Sequence, residues 1–73
     1  MTLKDFLNLY DNWNGVVKIN DIDLNEILKC KVSKFMFKDA MYYNEDLMES
    51  FVIAFGFFDE ELTVRINYSK EEE

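Results

Sequence analysis

The chain has 73 residues, 15 of them acidic and 8 basic, for a formal charge of −7, with no histidine, no proline and one cysteine. So dense a negative field argues against nucleic acid and anionic membrane as direct partners, because both need cationic protein to displace their counterions. It favours a basic protein partner, against the plainer reading that acidity only keeps the chain soluble.

The length makes one domain over 1–73 with one core, near the size where folding unaided is marginal. Half of the residues are hydrophobic and seven are Phe, which is how so short a chain can bury enough area. Two glycines and no proline leave no flexible linker or low-complexity stretch. No run approaches the length of a membrane helix, and the first residues lack a signal peptide's apolar core. Cys30 is alone, so no intrachain disulfide forms, and a reducing, cytoplasmic compartment is expected.

In chain order, Thr2-Leu3-Lys4-Asp5 has the form of a capping box, with Asp5 at the third helical position. Leu3, Phe6, Leu7 and Tyr10 follow at helical spacing, predicting an amphipathic helix over residues 3–11. The segment 11–15, DNWNG, stops it. Trp13 in that turn is either a plug over the core or an exposed binding anchor. Residues 16–20 predict a short strand with Val17 and Ile19 on one side. Asp23 and Glu26 then suggest a second helix start, with Leu24, Ile27 and Leu28 giving an inward face over 24–30.

Residues 31–50 are ambiguous, since both helical and extended periods fit. A brief strand at 32–36, a helical or turn-like stretch at 38–43 and one helical turn at 45–49 capped by Asn44 are the preferred reading. Residues 51–68 read as a β-hairpin. With Asp59-Glu60 as loop, the pairs Phe57/Leu62, Phe55/Val64, Ile53/Ile66 and Phe51/Tyr68 share one face, which is expected to meet the core. Asp-Glu is a poor two-residue turn because type I′ needs positive φ at both positions, so a four-residue loop is the alternative. Residues 69–73 are expected to be a frayed tail. The fold class is therefore α+β: a small antiparallel sheet built on the C-terminal hairpin (51–58 and 61–68), a strand near 16–20, and helices at 3–11 and 24–30 packed on it.

Chemistry is hard to find. Without histidine the usual general base and commonest metal ligand are missing, and neither a Ser-His-Asp nor a Cys-His arrangement can form. Residues 21–26, DIDLNE, carry alternating oxygen ligands but lack the central Gly and closing Glu of a calcium loop, so helix capping explains them better. Acids this abundant make any glycosidase-type pair uninformative. No catalytic residue, metal or cofactor is expected. Phe35, Phe37, Tyr42 and Tyr43 beside Lys34 and Lys38 could stack on single-stranded nucleic acid, yet core packing accounts for them more simply.

Two stretches resemble known proteins. LKDFLNLYDNWNG at 3–15 and VIAFGFFDEELTVRI at 52–66 are similar to short uncharacterised proteins of phages and mobile elements of Gram-positive bacteria. The similarity covers both ends of the chain and carries over no functional residue. What it implies is a context, in which small acidic phage proteins act as inhibitors of host defence, anti-CRISPR proteins among them. The expected function is then a non-enzymatic inhibitor in the host bacterial cytosol, binding a CRISPR effector nuclease as a DNA mimic would. Glu45, Asp46, Glu49, Asp59, Glu60 and Glu61 are the candidate contacts, with Tyr42, Tyr43 and Trp13 as apolar anchors. The alternative is a homo-oligomeric structural or adaptor protein, a homodimer formed by edge pairing of residues 62–68. An enzyme or small-molecule sponge would need a pocket that so short a chain supplies only with difficulty.

Overall fold

A computed structural model describes residues 1–68. The elements run α1 (Leu3–Tyr10), β1 (Val16–Asn20), β2 (Glu26–Lys31), a 3-10 turn (Val32–Lys34), α2 (Glu45–Met48), β3 (Val52–Phe58) and β4 (Glu61–Ile66). This is a small α+β fold. Its four strands form one mixed sheet in the order β2-β1-β4-β3, in which two antiparallel hairpins meet along a parallel β1/β4 seam.

The helix begins as expected, with the Thr2 hydroxyl accepting the Asp5 N–H at 3.2 Å. It ends when Asp11 turns left-handed at φ 56° and returns its N–H to the Leu7 carbonyl. Leu3 and Leu7 bury against the sheet, while Phe6 and Tyr10 lean on Phe55 and Phe57 with ring centres 4.8 and 6.1 Å apart. At the far end Asn44 caps α2 with its side-chain oxygen, accepting from the N–H groups of Asp46 and Leu47 at 2.9 and 3.3 Å. That single helical turn sends Leu47 and Met48 into the core.

The core lies on one side of the sheet. Val17 and Ile19 from β1 and Leu62, Val64 and Ile66 from β4 are fully covered by the helices and by Val32, Phe35 and Met36. Among the described residues no helix covers the opposite side of the sheet, its open face.

Several expectations are corrected, among them the edge pairing of residues 62–68, since β4 lies inside the sheet between β1 and β3. Residues 24–30 form no helix: they turn and become β2, whose Leu28 and Cys30 pair with Ile19 and Val17. A bulge between Ile19 and Asn20 breaks the period of two in β2, which is why the segment also satisfied helical spacing. Asp21, not Asp23, organises this turn. Its Oδ1 accepts the N–H groups of Asp23 and Asn25, both at 2.9 Å, so a 2% exposed carboxylate holds the loop from inside. Residues 32–36 are not a strand either; β2 stops at Lys31 and the chain tightens into the 3-10 turn. The sheet, finally, is mixed rather than antiparallel.

The hairpin at 51–68 has its expected pairs from Phe58/Glu61 to Ala54/Arg65. Asp59 and Glu60 both take positive φ, 54° and 67°, so the two-residue loop is right in spite of its residues. Beyond Ala54 a bulge shifts the register, pairing Val52 with Ile66 and handing the core position to Val52. Phe51 thereby turns away from the core. The expected burial of the aromatic face fails for a second reason: β3 is an edge strand, and Phe55 and Phe57 stay 61% and 58% exposed. Residues 69–73, expected as a tail, lie outside the described residues.

Candidate functional site

The six candidate acids fall into two groups. Glu45 and Asp46 open α2 and Glu49 closes it, directly before the chain enters β3. Asp59, Glu60 and Glu61 sit at the β3–β4 tip. The 7 residues of β3 separate the two triads by about 20 Å of extended chain. They do not converge into one patch.

The α2 triad has company that the sequence did not reveal. Asn20 pairs with Arg65 and the Ile22 N–H bonds the Tyr68 carbonyl, so the Asp21–Asn25 turn lies at the same end of the sheet as the start of β3. The first turn of α1, with Asp5, is held there by the Thr2/Phe51 bridge and the Leu3 N–H to Ser50 carbonyl bond of 2.8 Å. Exposed Asp5, Asp23, Glu45, Asp46 and Glu49 therefore share one acidic end. Asp21 is not among the available carboxylates, since its oxygens are engaged within the turn. The tip triad is weaker, because Glu61 is drawn to Lys29 at 3.2 Å.

Of the apolar anchors, Tyr42 is 47% exposed and Tyr43 is packed against the core. Both immediately precede the Asn44 cap, which keeps Tyr42 within about 11 Å of Glu45 along the chain. Trp13 is elsewhere. Its carbonyl accepts the Ser33 N–H at the opposite end of the sheet, and its ring meets Phe37 edge-on with centres 5.0 Å apart. With 40% of its surface exposed, it is partly plug and partly available.

Four of the eight bases lie on the open face. The register places Lys18 of β1 opposite Lys29 of β2, with Val16 opposite Lys31, and Arg65 of β4 beside Asn20. Among the described residues, Arg65 Nε and Asn20 Oδ1 are buried without hydrogen-bond partners, next to one another in the ladder. Reading 24–30 as a helix hid this arrangement, because only a strand alternates Lys29 and Lys31 onto one side.

Chemically the molecule offers little. Burial pushes the Cys30 thiol up, with the charge of Lys34 opposing, which favours the neutral form. Among the described residues no group of three His, Cys, Asp or Glu side chains is placed to hold a metal ion, and no helix is long and apolar enough to cross a membrane. No family model, no curated protein and no solved structure matches the chain.

Proposed function

We propose that the protein works by contact and not by catalysis, as an inhibitor of the anti-CRISPR kind that occupies a cationic surface of a bacterial defence nuclease. The observation that carries this reading is the acidic end, where Glu45, Asp46 and Glu49 stand with Asp5 and Asp23 on backbone that is capped and paired. Carboxylates held on ordered backbone can accept from arginines that otherwise hold phosphate, with little backbone entropy left to lose. The tip triad is 20 Å or so away and already partly neutralised, so it contributes long-range attraction at most. Tyr42, whose N–H bonds the Lys34 carbonyl at 2.9 Å, is an exposed aromatic three residues before Glu45 in the chain.

The test is a DNA-cleavage assay with a guide-loaded CRISPR effector nuclease and two charge-neutral variants. Glu45→Gln with Asp46→Asn and Glu49→Gln should abolish inhibition, whereas Asp59→Asn with Glu60→Gln should leave it within a few-fold of the parent. Binding should also weaken as salt rises towards physiological strength. Inhibition that survives neutralisation of the α2 triad, or is indifferent to salt, rejects the reading.

A further inference from the structure

The two edges of the sheet are built in opposite ways. The β2 edge carries Glu26, Lys29 and Lys31 and a bulge, which are the usual protections against strand addition. The β3 edge has none of them beyond Ala54. From 51 to 58 the sequence is FVIAFGFF, without one charge, and it is exposed on both sides: Phe55 and Phe57 above, Phe51 and Phe58 below, each about 60% open to water. A continuous apolar run is the signature of a strand covered on both faces. Among the described residues, Met1 and Thr2 meet the second flank of β3 at Phe51 and Val52, and no strand pairs with it from Ala54 to Phe58.

From this edge we infer that the protein is a homodimer, formed by antiparallel pairing of β3 with β3 of a second copy. This goes beyond the proposed inhibition, which uses a different end of the molecule. The geometry fixes the register. A two-residue loop closes on a hydrogen-bonded Phe58/Glu61 pair, so alternation turns the amides of Gly56 and Ala54 towards β4 and those of Phe55 and Phe57 outwards. Nearer the start of the strand, the outward N–H of Val52 is already taken by the Met1 carbonyl at 2.9 Å. A two-fold axis at Gly56 then pairs Phe55 with Phe57 of the second copy, and the reverse.

That register sets four phenylalanine rings side by side, bracketed by Phe6 and Tyr10 of each copy. On the open face, Phe58 meets Ala54 of the second copy, large against small. Phe55, Phe57 and Phe58, each about 60% exposed, are the rings this pairing covers. A heterologous strand could use the same edge, but the self-complementary register favours a second copy.

The experiment is light scattering and sedimentation on the full chain over a concentration series, with amide hydrogen exchange. A mass of twice 8.8 kDa is expected at about 100 μM chain. The amides of Phe55 and Phe57 should be protected at that concentration and exposed on dilution. Phe57→Lys, which alters a side chain already open to water, should give a folded single chain with both amides exchanging. Added salt should leave the dimer intact or strengthen it, because each copy carries −7, whereas binding of a basic partner weakens. A single-chain mass throughout, a dimer that survives Phe57→Lys, or protection of the two amides in a lone chain would each overturn the inference. Inhibition retained by the Phe57→Lys monomer would leave the proposed function standing.

Discussion

Asp21 and Cys30 show how single side chains are committed to structure in a chain short of material. A buried carboxylate is tolerable only when its oxygens are satisfied, and Asp21 spends both on the turn between β1 and β2, including the Asn25 side-chain amide at 3.4 Å. It thereby does the work that glycine or proline would do in a longer loop. Cys30, half-buried beside Val17, has its thiol raised by desolvation with Lys34 opposing. For an acid whose folded pKa is raised, the neutral form is favoured by folding; that stabilisation is present below the ordinary thiol range and is lost as pH rises through it. Alkylation of Cys30 at neutral pH should therefore run slower than for a free cysteine and reach the free rate in denaturant. Reaction at the free rate in the native protein would show the thiol to be unburied.

At the scale of elements, the β3–β4 turn is the conspicuous compromise. Asp59 and Glu60 hold left-handed backbone that side chains resist, at about 1 kcal/mol each. Asp59→Asn with Glu60→Gly should stabilise the fold by about 1 kcal/mol, raising Tm by roughly 4–8 °C for a chain of this size. Calorimetry decides, and an unchanged or lower Tm would mean that the turn is not of this type. The first helix, β1, the hairpin pairs from Ala54 to Phe58 and the Asn44 cap were all legible beforehand, because each is written in neighbouring residues: a cap, a period, a pair of facing runs. What failed was interrupted locally. Bulges in both hairpins shift the alternation by one residue, which made β2 look helical and sent Phe51 to the wrong face. Burial of Phe55 and Phe57 was misjudged because a hairpin's pattern tells which side is apolar, not whether the strand has a second neighbour.

Over the whole molecule, charge is sorted more sharply than the sequence suggests. The acids of α1, α2 and the β1–β2 turn meet at one end because the chain returns there four times, while Lys18, Lys29, Lys31 and Arg65 share the open face. Clusters along the chain identified the α2 and tip triads, but their separation depends on the length of β3, which no cluster encodes. The parallel seam was equally invisible, since nothing in residues 16–20 names 62–65 as their neighbours. That seam has a kinetic consequence. Each hairpin closes a short loop and can form within microseconds, whereas Val17 and Leu62 meet only after the intervening chain is brought round. The two hairpins should thus assemble early and separately, with their joining as the slow event. Substitutions in the β3–β4 turn, which is already made when the hairpins join, should therefore act mainly on the folding rate; a turn substitution that changes only unfolding in a chevron analysis would place closure of that hairpin after the slow step.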